Sequence, residues 1–136
     1  MKVTYAVGNI MTEKIVSVNT RDRLAVAMKT MVERNIGSVV VTDQRDMVGI
    51  VTERDVLRCF CDDLQAADRP VEAIMSRPLI TVDTSTSIGE AADRMAAKKV
   101  RRLLVTHDGR ICGLVTERDL MRATLDVFIK LRDAWV

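Results

Sequence analysis

The sequence predicts an α/β (α+β) fold built from two β-α-β-β-α repeats that pack with pseudo-twofold symmetry around a central cleft. The first observation is a duplication, since the tetrapeptide at Thr52–Asp55 recurs as Thr116–Asp119, 64 residues further on. The flanks repeat in the same register without a gap, as Gly49 and Gly113 illustrate. A sequence duplicated at a fixed period is one structural unit used twice. The second observation is that β-rich runs alternate with helical periodicity inside each copy.

The first repeat is predicted to run strand, helix, strand, turn, strand, helix. The β-rich run Ile15–Val18 indicates the first strand. Apolar residues then recur at helical spacing, at Leu24, Met28, Met31 and Val32. Asp22 is the expected N-cap of that helix. The continuous apolar run Ser38–Thr42 is typical of a strand buried on both faces, and the strand Met47–Val51 leads into a helix that Thr52 opens.

The second repeat follows the same plan. Leu79–Val82 is its first predicted strand and Ile88–Lys98 its first helix. Two further strands, Arg102–Thr106 and Ile111–Val115, flank an Asp-Gly dipeptide, which is a strong hairpin signal between apolar runs. A helix then begins at Thr116.

The expected domain boundaries are 7–64 for the first repeat, 71–128 for the second and 129–136 for a C-terminal helical tail. A repeat of roughly 55 residues buries only about 60% of its unfolded surface, so the two copies are expected to share a core. Pro70 is expected to end a linker helix between them. The tail carries an apolar face made of Leu125, Phe128, Leu131 and Trp135. That face covers either the core or a partner subunit, and both alternatives stay open.

Composition narrows the class of protein. The 136 residues carry 21 basic and 19 acidic side chains, a net charge of +2, and only 3% aromatic residues. A general nucleic-acid or membrane binder usually has a basic stripe, and a single-strand binder needs aromatic stacking platforms. No apolar run approaches the ~20 residues that span a bilayer, and the N-terminus lacks a signal-peptide core. An odd number of cysteines, three, fits a reducing cytoplasm.

No catalytic or metal-binding constellation is visible, so the expected protein is not an enzyme. There is no nucleophile–base arrangement and no P-loop. Cys59 and Cys61 lack a second Cys or His pair to complete a tetrahedral metal site, and His107 stands alone in a turn.

The duplicated motif lies where a buried strand gives way to a helix. A helix N-terminus offers unpaired N–H groups and the positive end of the helix dipole, which together favour anions. The hydroxyl of Thr52 or Thr116 can donate to a phosphate oxygen there. The carboxylate of Asp55 or Asp119, one turn away, accepts hydrogen bonds only and suits the cis hydroxyls of a ribose. Arginine in the first helical turn, as at Arg54 and Arg118, also indicates a nearby anion.

The same spacing is the sequence of a helix capping box, which only satisfies backbone donors. Internal duplication preserves a cap as easily as a site. The residues alone therefore leave a cap and a phosphate–ribose clamp as open alternatives.

The chain resembles a stand-alone pair of cystathionine-β-synthase (CBS) domains, also called a Bateman module. The resemblance rests on the Ile-Met-Thr and Ile-Met-Ser openings, the run Gly37–Val41, the Gly-hydrophobic-Val-Thr-x-x-Asp endings and the repeat length. It covers roughly residues 7 to 128. It implies a regulatory module that binds adenosine-containing ligands in the cleft between the repeats.

The resemblance also implies which residues bind. One site would take Thr116 and Asp119 for phosphate and ribose, with Arg101, Arg102 and Arg118 near the phosphate. Its adenine would contact apolar or small residues of the opposite repeat, at Val16, Ile36, Gly37 and Ser38, with Leu114 beneath.

The other implied site would take Thr52 and Asp55, with Arg54 as its local basic residue. Its remaining contacts would be Ile80, Val100 and Arg101, with Ile50 beneath. In the first repeat the positions equivalent to Arg101 and Arg102 are Gly37 and Ser38, so we expect the Asp119 site to bind phosphorylated adenosine more tightly. The alternative is that Arg101 and Arg102 form a solvated strand edge.

The function that the resemblance implies is sensing of AMP, ADP or ATP by a flat, disc-like homodimer with no obligatory cofactor. One alternative is a sensor of S-adenosylmethionine or NAD(H). Another is a structural interaction module without a nucleotide ligand, in which the motifs are caps and the terminal helix docks a target protein. Neither nucleic acid nor membrane is an expected partner.

Overall fold

The computed structural model describes residues 5–135 and confirms the mixed α+β class, with two three-stranded sheets and four helices among those residues. The chain divides into two compact units. The first unit is Ile15–Leu79, and the second comprises Met1–Lys14 and Ile80–Val136. The segment that opens each sequence repeat therefore belongs to the unit that holds the other repeat's strands and helices.

The first unit contains one sheet and two helices. Its elements are β1 (Ser17–Asn19), α1 (Leu24–Arg34), β2 (Ser38–Asp43), β3 (Asp46–Thr52) and α2 (Glu53–Asp62). The strand order is β1-β2-β3, with β1 parallel and β3 antiparallel to β2. The predicted strands after α1 are confirmed to within one or two residues, whereas the first strand begins at Ser17 rather than Ile15.

The start of α1 departs from the prediction that Asp22 is its N-cap. The helix follows Arg23, which makes no side-chain capping bond. Asp22 instead accepts from the backbone N–H of Asn19 at 2.8 Å and closes the turn after β1. The first N–H of the helix, on Leu24, donates to the carbonyl of Arg69 at 2.8 Å. A backbone carbonyl from the segment after α2 thus replaces the side-chain cap.

The second unit repeats the plan with a longer last helix. Its elements are β4 (Thr81–Asp83), α3 (Ile88–Lys98), β5 (Arg102–His107), β6 (Arg110–Thr116) and α4 (Glu117–Ala134). The strand order is β4-β5-β6, again parallel and then antiparallel. The prediction of a helix over Ile88–Lys98 is confirmed. The hairpin signal is also confirmed, since Asp108 and Gly109 both have positive φ, at 50° and 76°.

Each unit has its own apolar core. In the first unit it includes Leu24, Val39, Val41, Val51 and Val71. In the second unit it includes Val7, Leu103, Val105, Val115 and Leu120. Val7 and Val71 occupy equivalent positions in short 3-10 turns, Val7–Asn9 and Val71–Ala73, and each is fully buried. The opening segment of each repeat therefore contributes a buried residue to a core.

Two predictions about the helix ends are changed. The linker helix ends at Asp62 and not at Pro70, which instead precedes the turn Val71–Ala73.

The four apolar residues predicted to line the C-terminal tail are exposed, with Trp135 at 88% of its accessible surface. They do not cover the core of their unit. Val136, the last residue of the predicted tail, lies outside the described residues.

Candidate functional site

Both copies of the motif form complete capping boxes. Thr52 is the N-cap of α2, and its Oγ1 accepts from the N–H of Asp55 at 3.2 Å while Asp55 Oδ2 accepts from the N–H of Thr52 at 2.9 Å. Thr116 and Asp119 make the same reciprocal pair at the start of α4, also at 3.2 and 2.9 Å. The cap alternative is therefore correct as a description of the backbone at both junctions. It leaves open what the remaining oxygen and hydroxyl proton of each pair do.

At the first junction those remaining groups are engaged inside the protein. The Thr52 hydroxyl donates to Asp55 Oδ2 at 3.0 Å, and the Ser76 hydroxyl donates to Asp55 Oδ1 at 3.0 Å. Asp55 is 8% exposed. Both carboxylate oxygens and both hydroxyl protons are thus used without a ligand.

At the second junction the equivalent groups are available. Within residues 5–135, Asp119 Oδ1 accepts no hydrogen bond and the Thr116 hydroxyl finds no acceptor. Asp119 is half-buried, whereas Asp55 is buried. The junction keeps one strong acceptor and one donor within a single helical turn, at the positive end of an 18-residue helix.

The three predicted arginines of the second repeat lie at or beside this junction. Arg102 pairs with Thr116 across β5 and β6, and the carbonyl of Arg101 accepts from the N–H of Glu117 at 2.8 Å. Arg101 Nε lies 4.0 Å from Glu117 Oε2, with both side chains largely exposed. Arg118 is also exposed, in the first turn of α4. Three basic side chains are therefore carried by residues next to the N-terminus of α4.

The same backbone frame at the first junction carries less positive charge. The carbonyl of Gly37 accepts from the N–H of Glu53 at 3.1 Å, and Ser38 pairs with Thr52 across β2 and β3. Arg54 is exposed in the first turn of α2. The two junctions thus have equivalent backbone contacts and differ in the number of basic residues beside them, as the sequence predicts.

The predicted adenine contacts lie on the strands next to these junctions or within two residues before them. In the first unit Val16, Ile36 and Ile50 are half-buried, and the carbonyl of Val16 accepts from Val40, the residue that pairs with Ile50. In the second unit Ile80, Val100 and Leu114 occupy the equivalent places. Each predicted site contains residues of both units. Within each unit, the predicted residues that belong to it lie near its strand–helix junction. The predicted combination of residues from different units stays a prediction.

Sequence reasoning missed Ser76 and Thr12. These equivalent residues are the third positions of the Ile-Met-Ser and Ile-Met-Thr openings. Each forms an isolated bridge to the last strand of its unit, Ser76 with Ile50 and Thr12 with Leu114. The available signal was the serine-to-threonine difference inside two otherwise matching openings.

The described residues contain no group of three or more His, Cys, Asp or Glu side chains placed to hold a metal ion. None of the helices within residues 5–135 is both long enough and apolar enough to cross a membrane.

A CBS domain family model matches residues 7–62 and again residues 71–126. The chain therefore belongs to the CBS domain family, and it carries two copies of the domain. CBS domain pairs are regulatory ligand-binding modules. The fold described above, with its two strand–helix junctions, is the fold of this family.

Three of the proteins to which the chain is similar differ in identity, in coverage and, for the solved structures, in TM-score. An uncharacterized 17.7 kDa protein of Acidianus ambivalens is 38% identical over 123 residues, which cover 89% of this chain and 74% of that protein. The structure of an uncharacterized conserved protein from Pyrococcus horikoshii is 33% identical, with a TM-score of 0.82 over 91% of this chain and 95% of that one. The CBS domain pair of protein MJ0100 was solved with 5-methylthioadenosine and S-adenosyl-L-methionine. It is 23% identical, with a TM-score of 0.79 over 90% of this chain and 97% of that one.

Other curated relatives are longer than this chain. The chain spans 42% of a 33.4 kDa protein of Thermofilum pendens, to which it is 33% identical over 126 residues. It spans 32% of protein MJ1404 of Methanocaldococcus jannaschii, to which it is 32% identical over 135 residues.

Proposed function

We propose that this chain is a regulatory module that binds an adenosine-containing nucleotide, AMP, ADP or ATP, at the junction of Thr116 and Asp119. The observation that carries the proposal is the uncommitted hydrogen-bonding capacity there, Oδ1 of Asp119 and the hydroxyl proton of Thr116. A capping box alone needs neither group. Together they supply an acceptor for a ribose hydroxyl and a donor for a phosphate oxygen.

The charge around α4 favours a phosphate. The helix N-terminus adds a positive dipole end, and Arg101, Arg102 and Arg118 add formal charge beside it. The ligands of the MJ0100 pair contain adenosine but no phosphate. Asp119 would serve the ribose of those ligands equally well, so the arginines are what favour a nucleotide over S-adenosylmethionine. The adenine contacts at Val16, Ile36, Gly37 and Ser38 remain part of this proposal as sequence predictions.

Calorimetric titration of the purified chain with AMP, ATP, adenosine, S-adenosylmethionine and NADH tests the proposal. We expect AMP or ATP to bind more tightly than adenosine, and Asp119→Asn to weaken binding by about tenfold or more, because an uncharged amide with one acceptor oxygen replaces a carboxylate with two. Asp55→Asn is the matched control at the identical motif. Binding of none of the five ligands, or equal binding of AMP and adenosine, would contradict the nucleotide proposal.

Exposed apolar stripes along α2 and α4 favour association of the module with another protein surface. Leu57 and Cys61 on α2, with Leu64 in the turn just after it, correspond in the repeat to Met121, Leu125 and Phe128 on α4, and all six are exposed. A stripe that recurs at equivalent positions suits an isologous contact with a second copy of the chain, because such a copy offers the same pair of stripes. We therefore include a homodimer in the proposal.

Sedimentation velocity tests the homodimer. We expect wild-type chain to sediment as a dimer at micromolar concentration, and Leu125→Glu with Phe128→Glu to yield monomer. Ala96→Glu, on the exposed side of α3, is the control and should leave the dimer intact. A wild-type monomer across the concentration range would remove the homodimer from the proposal without touching the ligand site.

A further inference from the structure

We infer that Ser76 closes the junction of Thr52 and Asp55, so that each chain takes up one nucleotide and the first junction serves only as a helix cap. The single-ligand part of this inference rests on the proposed function. The closure itself rests on the contacts of Ser76 and does not depend on any ligand.

The position of Ser76 is fixed by its backbone. Its N–H donates to the carbonyl of Ile50 at 2.8 Å, and its carbonyl accepts from the N–H of Ile50 at 3.1 Å. Gly49 allows this close approach, since a Cβ atom there would lie 2.5 Å from Sδ of Met75 and 3.1 Å from the carbonyl oxygen of Ser76. The serine hydroxyl is thereby held 3.0 Å from Asp55 Oδ1.

The second unit has the same backbone arrangement without the closure. Thr12 exchanges two backbone hydrogen bonds with Leu114, both at 2.9 Å, but within residues 5–135 its hydroxyl makes no hydrogen bond to Asp119. The β-branched side chain of threonine has fewer accessible χ1 rotamers than serine. The two junctions thus differ at one position: the carboxylate of Asp55 is hydrogen-bonded to Ser76, whereas that of Asp119 makes no bond with the equivalent Thr12.

A ribose that bound at Asp55 would have to displace the Ser76 hydroxyl from Oδ1 and reach a carboxylate that is 8% exposed. A phosphate at the same place would have to draw the Thr52 hydroxyl from Oδ2. Loss of a hydrogen bond to a charged group lowers an affinity by about tenfold or more. The closure therefore opposes ribose and phosphate at once, which separates the two junctions despite their identical tetrapeptides.

Thermal unfolding of single and double variants tests the closure without a ligand. We expect Ser76→Ala to lower the Tm by about 5 °C, because it removes a hydrogen bond to a buried carboxylate. The double variant with Asp55→Asn should lose less than the sum of the two single losses, whereas Thr12→Ala and Asp119→Asn should be additive. Additive losses for Ser76 and Asp55 would overturn the closure whatever the protein binds.

Calorimetry with AMP then tests the single ligand. We expect one binding event per wild-type chain and a second event in Ser76→Ala. Two wild-type events of similar affinity, one of which disappears in Asp55→Asn, would overturn the inference. If AMP, ATP, S-adenosylmethionine and NADH all fail to bind, the proposed function fails, and the thermal cycle still decides whether Ser76 closes the junction.

Discussion

The two strand–helix junctions share one tetrapeptide and one capping geometry, yet they differ in the atoms that a ligand would use. The reciprocal bonds of the capping boxes have the same lengths at both, 3.2 and 2.9 Å. Within residues 5–135, a residue distant in the sequence bonds to the carboxylate only at the first junction, where Ser76 lies 21 positions from Asp55. An identical motif therefore fixes the local backbone, whereas the chemistry left available depends on a neighbour brought in by the fold.

The opening segments show a similar contrast. In the second unit the N–H of Gly8 donates to the carbonyl of Thr84 at 3.0 Å, and a Cβ atom at Gly8 would lie 2.9 Å from Cβ of Thr84. In the first unit the equivalent bond, from Glu72 to Thr20, measures 3.4 Å. The glycine lets the segment dock closer in the second unit, so the repeats differ in packing as well as in hydrogen bonding.

The largest expected difference between the units is in their cores. Leu24 is fully buried at the start of α1, while its counterpart Ile88 at the start of α3 is half-buried. We expect Leu24→Ala to lower the free energy of unfolding by about 3 kcal/mol and Ile88→Ala by about 1–2 kcal/mol, since only the first leaves a closed cavity. Urea denaturation measures both. Equal losses would show that the two helices are anchored equally and that the contrast is confined to the junctions.

Much of this fold follows from local sequence signals. The bounds of α3 and the positive-φ turn at Asp108 and Gly109 match the prediction because helical periodicity and the Asp-Gly dipeptide act locally. The N-cap prediction at Asp22 is wrong because the carbonyl of Arg69, far along the chain, takes the role of the cap. Sequence periodicity contains no information on such a partner.

For the candidate site, too, the sequence predicts the local features and not the tertiary contact. The duplicated Thr-x-x-Asp predicts both junctions, and it leaves a cap and a ligand clamp open at each. The bond from Ser76 to Asp55 involves a tertiary neighbour, and no spacing rule connects position 76 with position 55. The difference between the junctions therefore became visible only with the fold.

A smaller effect is expected from a change at Glu117, which tests the difference in charge between the two junctions. Its carboxylate lies 4.0 Å from Nε of Arg101, and both side chains are exposed, so the ion pair contributes little to stability. Under the proposed function, it would compete with a bound phosphate for Arg101. We expect Glu117→Gln to tighten AMP binding by about twofold to threefold at low salt and to leave adenosine binding unchanged.

Glu53→Gln is the control, because Gly37 takes the place of Arg101 at the first junction. Titrations at two salt concentrations measure the effect, which should shrink as salt screens the charges. An equal gain for adenosine would mean that Glu117 acts on the ribose or the adenine and not on the phosphate.

The smallest expected effect concerns the part of α4 that has no counterpart in α2. Helix α2 ends at Asp62, whereas α4 continues past the equivalent Asp126 to Ala134. Tyr5 ties this extension to its unit: its hydroxyl donates to Asp126 Oδ2 at 3.2 Å and accepts from Lys130 Nζ at 2.8 Å. Lys130 also lies 3.0 Å from Asp126 Oδ2. Tyr5→Phe removes the hydroxyl and retains the ring over which Lys130 sits, 5.5 Å from its centroid.

We expect Tyr5→Phe to raise amide hydrogen exchange in the extension about twofold at pH 7, because fraying there opens without global unfolding. Hydrogen bonds from Lys130 and Tyr5 lower the pKa of Asp126 below its usual 3.8, so the stabilisation is present above that value and lost as the pH falls through the lowered pKa. The bond with Tyr5, and then Asp126, raises the pKa of Lys130 above 10.5, so its contribution is present below that value and lost as the pH rises through the raised pKa. The variant should therefore differ from wild type between about pH 4 and pH 10 and converge with it in acid. A difference that persists unchanged at pH 2 would show that the Tyr5 hydroxyl holds the extension without the ionised carboxylate of Asp126.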